Sequence, residues 1–414
     1  MKIYIYIITI VLTSLASAQE IDVSLDDVAQ KVRESNFTVL ENAQRVYQAK
    51  ETINFSKRNL LPRLNFWNVL KLPFDWLSSV DIVQDIAPFL VPNNWFRLSQ
   101  NKLFYLAQKE QYRALWANEV MTAKLLYLNA LRDRDFLRIL KVQESQVDEL
   151  LSIVKSRVIL GGERAQILKF FEIRKLEIQD DIRSLSTIFF DEKKALSFLM
   201  GVPSEKELKL VDIELPSLED LSEISFDTFV FRALDNAPEI NQYKYIKDSL
   251  RFVRREAYFS FLGASSTSRS SSVFNNIPVQ DGLGFGMGSS LRIAGSESKI
   301  LEINMNATKE VIKKNLYNLV NNYNSYLKNI EGQKNRNKYS QENFKLIKGQ
   351  LVLGGSIDPL EVLTSIESVF DSSISLTNYE YEAVTTMEKI KRSIFNDDYS
   401  KKESKLHLVI KGRN

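Results

Sequence analysis

Long stretches of the chain carry apolar residues at helical spacing, and two segments between them lose that spacing. From about Leu98 to Leu160 the sequence has neither proline nor glycine. A helix rises roughly 1.5 Å per residue, so this stretch predicts a rod of about 90 Å. A compact domain does not need a helix of that length.

The stretch after the first rod shows how a long helix stays against a neighbour. Its apolar residues follow alternating steps of three and four, and Lys175 and Glu192 are the polar occupants of the seam. The apolar members are Phe171, Ile178, Ile182, Leu185, Phe189 and Leu196. A period of 3.5 residues is typical of coiled coils, whereas a plain core helix would have a wider apolar face.

Two glycine pairs interrupt the helical patterns in the same way. The sequence LGGERAQILKFF begins at Leu160, and LGGSIDPLEVLT begins 193 positions later at Leu353. Glycine accepts the positive φ that ends many helices, and Pro359 suits the first turn of a restarting helix. We therefore predict two helical hairpins with tips at 160–166 and 353–359.

The helix starts repeat as well. Ser24 is followed by Asp26 and Asp27, and 201 positions later Ser225 is followed by Asp227. A hydroxyl residue with an acid two or three positions on is an N-cap signature. Helical stretches then run to about Asn59 and about Tyr258. We predict an internal duplication, with a first repeat at 19–212 and a second at 213–395.

Strand-like alternation occurs only between the helices, in two predicted strand hairpins at about 62–90 and 259–294. Their strands are predicted at Leu64–Leu72, Val80–Ala87, Phe259–Arg269 and Gly282–Ala294. Apolar residues that alternate with small or polar ones suit strands between lipid and a water-filled lumen. A small soluble sheet with one face on a core fits the same alternation.

Four strands cannot close a barrel across a membrane, because open sheet edges in lipid are very costly. If these strands enter lipid, the chain must be an oligomer. Three chains with four strands each would give a twelve-stranded barrel, so the simplest oligomer is a cyclic trimer. The predicted fold class is thus mainly α with a small β part.

The N-terminus has the features of an export signal. A short basic start, an apolar core from Ile3 to Leu15 and the small residues Ala16–Ala18 predict a signal peptide at 1–18. A transmembrane anchor is the alternative, but the core is shorter than the roughly 20 residues that span a bilayer. At the other end, residues 396–414 are predicted to be a polar, basic tail.

Composition and charge argue against most catalytic and nucleic-acid functions. The net charge of the 414 residues is +3 at pH 7, which gives no case for nucleic-acid binding. There is no cysteine, and the single histidine is His407. Disulfides, thiolate chemistry and histidine-based metal sites are therefore excluded, and we expect neither an enzyme nor a cofactor.

Several of these residues carry a resemblance to a known family. The opening SLDDV at Ser24, the sequence NLLPRLNF at Asn59–Phe66, the two halves and the tip LGGSIDPLEVL together resemble the TolC-type outer-membrane efflux proteins. The resemblance covers about Ser24 to Phe395. It implies a homotrimer with a twelve-stranded barrel in outer-membrane lipid and a helical tunnel across the periplasm.

The resemblance also implies a function. Such a protein is an exit duct for efflux or type I secretion, and it works with a periplasmic adaptor protein and an inner-membrane transporter. The tips, with Gly161, Gly162, Gly354, Gly355 and Asp358, are expected to dock the adaptor.

In the family pattern an acid six residues after a tip glycine lines the periplasmic entrance. Glu361 holds that position after Gly355, and a second acid position is occupied by Thr364. The first tip has Ile167 or Leu168 there, so the entrance is expected to be less acidic than usual. A solvated glutamate at a helix start, favoured by the helix dipole, is the simpler reading of Glu361.

A second functional hypothesis remains beside the duct. A soluble periplasmic coiled-coil scaffold or binding module, without a membrane barrel, would carry the same long helices. It is favoured if the two strand hairpins never enter lipid.

Overall fold

The computed structural model of the protein describes residues 20–62, 87–160, 165–203, 206–215, 222–259, 286–353 and 358–399. Within these ranges the chain forms eight α-helices, two short strands and two 3-10 turns. The helices are α1 (Leu25–Ser35), α2 (Phe37–Arg58), α3 (Pro92–Ile159), α4 (Ala165–Leu199), α5 (Phe226–Asn236), α6 (Pro238–Tyr258), α7 (Met287–Val352) and α8 (Pro359–Ser393). The strands are β1 (Ile21–Val23) and β2 (Leu208–Leu210), and the 3-10 turns are Pro88–Leu90 and Asp397–Tyr399.

The order of helices in the first half recurs in the second. Helices α1 and α5 have 11 residues each, α4 and α8 have 35 each, and the long pair α3 and α7 have 68 and 66. The prediction of long helical hairpins in two tandem repeats is therefore confirmed. The end points of the repeats stay predictions.

Local sequence explains where the helices begin. Ser24 caps α1 with a complete capping box, because its hydroxyl accepts from the Asp27 N–H while Asp27 accepts from the Ser24 N–H. Ser225 is the N-cap of α5 but makes no such side-chain bond. The stretch predicted as helical to Asn59 is broken at Asn36, whose side chain accepts from the Val39 N–H and caps α2. Pro92 starts α3 at N1, six residues before the predicted start.

The two long helices organise the molecule. At roughly 1.5 Å per residue each is a rod of about 100 Å. Helices α2 and α4 pack on α3, and α6 and α8 pack on α7; α6 and α8 also pack on α3. The helices therefore form a layer. In it, α3 packs on helices of both repeats, whereas α7 packs on α6 and α8 of the second repeat.

A small two-stranded sheet packs on α3 near the middle of that helix. Strands β1 and β2 pair in parallel, with Ile21 opposite Leu208 and Val23 opposite Leu210. The buried hydroxyl of Tyr127 donates to the Val23 carbonyl at 3.0 Å and to the Val211 carbonyl at 2.6 Å. One α3 side chain thus fixes both strands.

The coiled-coil seam of α4 is present as predicted. Phe171, Ile178 and Leu196 are fully buried. Lys175, one polar occupant, reaches across to Asp148 of α3 at 2.7 Å.

The predicted strand Gly282–Ala294 is wrong from Met287 onward, where α7 has already begun. Ala294 and Leu301 lie seven residues apart on one helix face and pack against Ile246, Leu250 and Val253 of α6. That packing outweighs the alternation of apolar and small residues in the segment. The other predicted strands lie almost wholly outside the described residues, and in the described end of the first hairpin Pro88–Leu90 is a 3-10 turn.

The first four residues of the predicted basic tail are not a free tail. Tyr399 is fully buried in the core of the first repeat beside Phe395, and Asp398 reaches Lys124 of α3 at 2.8 Å. Aromatic burial and an ion pair therefore fix residues 396–399, which the basic composition of the later residues concealed. Residues from 400 on and the predicted signal peptide lie outside the described ranges.

Candidate functional site

The ends of the two hairpins form one four-helix bundle. The C-terminal turns of α3 and α7 and the N-terminal turns of α4 and α8 share a buried apolar core. Its members are Val147, Leu150, Val154, Phe171, Ile178, Phe344, Leu351, Val362, Ile366, Val369 and Phe370. The two predicted tips are therefore neighbours in space, although about 190 residues separate them in the sequence.

Each tip presents a pair of apolar residues to solvent. Leu160 is 84% exposed and Leu353 is 88% exposed, and each follows an exposed β-branched residue, Ile159 and Val352. Four large apolar side chains therefore surround the end of the bundle. The glycines predicted to dock a partner, Gly161, Gly162, Gly354 and Gly355, lie outside the described residues, directly beyond these pairs.

The start of α8 places the other predicted site residues in one exposed row. Asp358 is the N-cap, and its carboxylate accepts from the Leu360 N–H at 2.9 Å. Glu361 and Thr364 follow at steps of three, so the three side chains share a face, and all are exposed. The Thr364 hydroxyl donates to the Leu360 carbonyl at 3.0 Å. Glu361 is thus a solvated carboxylate in the first turn of a helix.

Polar contacts tie the two hairpins together just above the tips. Lys348 of α7 pairs with Glu149 of α3 at 2.6 Å, and Arg174 of α4 pairs with Glu367 of α8 at 3.0 Å. The Arg157 guanidinium donates to the Leu351 carbonyl at 2.6 Å, at the C-terminal end of α7. Sequence reasoning missed these pairs, because nothing local connects charges in different repeats.

A buried charge cluster lies at mid-length between the repeats. Lys124 of α3 donates to Glu388 of α8 at 3.2 Å and to Asp398 at 2.8 Å, and Lys124 and Glu388 are both almost fully buried. Burial alone would lower the pKa of Lys124, but the two carboxylates outweigh burial and leave that pKa raised. Lys124 is therefore a permanent cation that joins the second repeat to the first.

Glu192, the second polar residue in the α4 seam, has a partly buried carboxyl group. Burial raises the pKa of the Glu192 carboxyl to about 7, and the nearby charge of Asp133 adds to the effect while Arg132 opposes it. One carboxylate oxygen of Glu192 is buried without a hydrogen-bond partner. This carboxyl therefore titrates near neutral pH.

Helices α4 and α7 carry large apolar side chains that the described part of the chain leaves exposed. On α4 they are Phe170, Ile173, Leu176, Ile188, Phe190 and Phe198, and on α7 they are Ile300, Ile303, Val311, Tyr317, Tyr339 and Leu346. Large exposed apolar surfaces of this kind mark interaction sites. Helices α4 and α7 are the two ends of the packing order α4–α3–α8–α7.

Within the described ranges, no group of three or more histidine, cysteine, aspartate or glutamate side chains is placed to hold a metal ion. None of the helices described is both long and apolar enough to span a bilayer.

Comparison with known proteins places the fold. Neither a family model nor a curated protein matches the chain. Among solved structures, the outer-membrane channel OprN superposes with a TM-score of 0.73 at 12% identity, over 91% of this chain and 90% of that one.

Two further channels are similar over nearly their whole lengths. The CmeC outer-membrane channel of Campylobacter jejuni gives a TM-score of 0.69 at 12% identity, over 94% of this chain and 88% of that one. The MtrE outer-membrane channel of Neisseria gonorrhoeae, in its open state, gives 0.66 at 11% identity, over 92% and 93%. The resemblance drawn from the sequence is confirmed at the level of the fold: this chain has the fold of the TolC-type outer-membrane efflux channels.

Proposed function

We propose that the protein is an outer-membrane exit duct with a periplasmic helical tunnel, through which cargo passes by passive conduction. The observation that carries the proposal is the layer built on α3 and α7, two rods of about 100 Å that run side by side with their shorter partners. Helices of that length can form the wall of a tunnel that crosses the periplasm. A globular binding domain of this size would be expected to have shorter helices joined by more turns.

The duct is a homotrimer in this proposal. Within the described residues, helices α4 and α7 leave large apolar side chains exposed, and copies arranged in a ring would cover both sets. Each copy would add its two predicted strand hairpins to a twelve-stranded barrel in outer-membrane lipid. The fold shared with channels called outer-membrane proteins supports this localisation.

The energy for transport comes from partners. The sequence contains no nucleotide-binding motif of the phosphate-cradling type. An inner-membrane transporter would supply the energy, and a periplasmic adaptor would join it to the duct at the hairpin tips. Efflux of small molecules and type I secretion of protein are both compatible with such a complex.

The tips supply the surfaces this role requires. The exposed pairs Ile159–Leu160 and Val352–Leu353 offer apolar contacts to an adaptor, next to the predicted docking residues Gly161, Gly162, Gly354, Gly355 and Asp358. Glu361 and Thr364 would line the periplasmic entrance. In a trimer the three Glu361 carboxylates would form a ring that attracts cations.

Cell fractionation separates this proposal from a soluble periplasmic scaffold. The tagged full-length chain is expressed in a bacterium with an outer membrane, and outer-membrane, inner-membrane and periplasmic fractions are compared by immunoblot. The outer-membrane extract is then run on a gel with and without heating. We expect an outer-membrane protein whose oligomer band is lost on heating, whereas a periplasmic protein without such a band would contradict the duct.

A further inference from the structure

Four helices end beside the two segments in which the strand hairpins are predicted. Helix α2 leads into the first segment and α3 follows it, while α6 leads into the second segment and α7 follows it. Side-chain contacts bring these helix ends together. The Asn101 amide of α3 donates to the Ser56 hydroxyl of α2 at 2.6 Å, and the Phe96 and Phe259 rings lie 5.6 Å apart. This end of the molecule, opposite the tips, is here called the strand end.

The two ends of the long helices differ in charge. The thirteen residues of each helix end nearest the predicted strands together contain nine basic and four acidic residues; these are residues 50–62, 87–99, 247–259 and 286–298. The corresponding thirteen at each helix end nearest the tips together contain seven basic and eight acidic residues; these are residues 148–160, 165–177, 341–353 and 358–370. The strand end is therefore clearly positive, whereas the tips are close to neutral.

Some cations of the strand end already have an acidic partner. Arg97 of α3 pairs with Glu256 of α6 at 3.2 Å, and both side chains are largely buried. Lys247 of α6 pairs with Glu302 of α7 at 2.9 Å. Five further cations make no ion pair within the part of the chain that the structure describes, and they are here called the basic collar: Lys57, Arg58, Arg254, Arg255 and Arg292.

Arg254 is the half-buried member of the basic collar. Its Nε atom is buried without a hydrogen-bond partner. Its guanidinium lies against Gly295 of α7, where a Cβ atom would lie 3.5 Å from Nη2. A buried donor without an acceptor is destabilising, and a guanidinium matches the oxygens of phosphate groups in geometry and charge. The side chain is therefore well placed to bind an anion between α6 and α7.

The helix dipole explains only part of this charge pattern. It favours cations in the last turn of a helix, where Lys57, Arg58 and Arg255 lie. It favours acids in the first turn, yet neither α3 nor α7 has an acid there, and α7 has Arg292 in its second turn. Helix α8, which begins at the tips, does have an acid in its first turn, Glu361. The shortage of acids at the strand end therefore needs another explanation.

Exposed aromatic side chains accompany the basic collar. Trp95 and Phe89 are each 49% exposed, and Tyr258 is 53% exposed. The Trp95 indole N–H donates to the Phe89 carbonyl at 2.9 Å, which holds the indole at the surface. Exposed Trp and Tyr are typical of the level at which a membrane protein meets lipid headgroups. Cations and aromatic rings at the same end of the molecule thus indicate a lipid surface.

We propose that the basic collar binds the phosphate groups of anionic phospholipids at the periplasmic surface of the outer membrane, with Arg254 as its most buried donor. The inference rests on the proposed function, because only a duct whose strands enter the outer membrane brings the strand end to that surface. It adds a class of lipid and the residues that bind it. Each basic residue next to an anionic membrane surface contributes about fivefold in affinity.

Lipid binding by the purified full-length oligomer tests this assignment. The protein in a nonionic detergent is titrated with phosphatidylglycerol that carries a fluorophore on an acyl chain, and binding is followed by fluorescence anisotropy. Phosphatidylcholine with the same fluorophore measures binding to a lipid without net charge. We expect phosphatidylglycerol to bind at least about tenfold more tightly, and we expect this preference to decrease as salt is added.

The variant Arg254→Gln/Arg255→Gln/Arg292→Gln removes three charges of the basic collar. Its affinity for phosphatidylglycerol should fall to that for phosphatidylcholine, whose own binding should not change. Because Arg254 is half-buried, the variant Arg255→Gln/Arg292→Gln, which changes two exposed residues, is measured beside it. This second variant should lower the preference by at least about fivefold.

The matched control removes three charges from α7 between the strand end and the tips. The variant Arg336→Gln/Lys338→Gln/Lys345→Gln changes exposed residues that make no ion pair with the described part of the chain. It should keep the full preference for phosphatidylglycerol, because these residues lie far from the basic collar.

The outcomes separate lipid binding from the duct itself. Equal affinity for the two lipids, or equal losses in the collar and control variants, would overturn the lipid site and leave a conducting outer-membrane protein standing. Competition by inorganic phosphate as strong as that by unlabelled phosphatidylglycerol would assign the collar to free phosphate and also overturn it. A periplasmic protein that binds neither lipid would overturn both the lipid site and the duct.

Discussion

At the scale of single residues, Lys124 is a cation that is buried between the two repeats and paired with two carboxylates. The variant Lys124→Met keeps most of the volume but removes the buried ammonium group that Glu388 and Asp398 share. Removal of one partner of a buried ion pair costs about 3–5 kcal/mol, so we expect a loss of that order in the free energy of unfolding. Denaturant unfolding followed by circular dichroism measures it.

The control for that prediction is an exposed ion pair. Arg45 pairs with Glu41 at 2.6 Å one helical turn away, with both side chains mostly exposed. Exposed pairs contribute about 0–1 kcal/mol, so Arg45→Met should change little. Equal losses in the two variants would show that Lys124 is not the buried junction described here.

The Glu192 carboxyl predicts a pH dependence of stability. Its pKa is raised from 4.5 to about 7 in the folded chain, so the folded state binds more protons than the unfolded state between these values. Stability therefore falls as pH rises through that window. Replacement by the neutral isostere in Glu192→Gln should remove the fall and stabilise the protein at pH 8 by roughly 1–2 kcal/mol, less than the full shift implies because the carboxyl is only partly buried.

Thermal unfolding at a series of pH values tests this effect. Asp191→Asn, an exposed neighbour on the same helix turn, is the matched control and should keep the slope of the unmodified protein. A slope between pH 4.5 and 7 that survives in Glu192→Gln would assign the titration to another group.

Glu361 is the residue at which conduction would be selective. In Glu361→Gln the three charges of the proposed entrance ring are lost, so we expect the preference for cations to decrease while the total conductance changes less. Reversal potentials in asymmetric salt measure the preference. Glu310→Gln on α7, which removes an exposed acid far from the tips, should leave it unchanged, and an equal effect of both variants would argue against an entrance at Glu361.

At the scale of elements, the two tips predict a division between folding and partner binding. Leu160 and Leu353 are among the most exposed large apolar residues described, so Leu160→Asp/Leu353→Asp should leave the free energy of unfolding nearly unchanged. Contact with an adaptor would be lost, because a carboxylate would be buried in an apolar interface.

Accumulation of a fluorescent efflux substrate in the natural host, with the variant as the sole copy, measures that loss. We expect accumulation close to that of cells without the protein. Val142→Asp, at an exposed apolar position farther up α3, is the control and should export normally. Normal export by the tip variant would place the docking surface elsewhere.

The elements also show what sequence alone could predict. The 3.5-residue seam of α4, the absence of proline and glycine from Leu98 to Ile159 of α3 and the capping box at Ser24 are local signals, and each gave the right helix. The alternation in Gly282–Ala294 failed because α7 starts at Met287 and buries Ala294 against α6, a contact with no trace in the segment itself.

The candidate site divides in the same way. Asp358, Glu361 and Thr364 could be placed on one exposed face from helical spacing. The pairs Lys348–Glu149 and Arg174–Glu367 could not, because their partners lie in different repeats and either charge would suit a solvated helix face. Burial of Tyr399 was hidden for a similar reason, since its apolar surroundings come from the first repeat.

At the scale of the whole molecule, the two repeats explain how the chain is held together and which apolar surfaces it leaves exposed. The two repeats are joined by the ion pair Lys124–Glu388 and by the hydrogen bond from Arg392 to Asn118. Within the described residues, the same arrangement leaves large apolar side chains of α4 and α7 exposed. In the proposed ring of copies these apolar surfaces would be covered.

Single-channel recording tests the central claim most directly. The full-length protein is purified from outer membranes as an oligomer and added to a planar lipid bilayer under an applied voltage. The duct predicts discrete, uniform conductance steps from the oligomer. A preparation that is folded and oligomeric but never conducts, in a bilayer where a known porin does, would contradict the duct and favour a periplasmic helical scaffold.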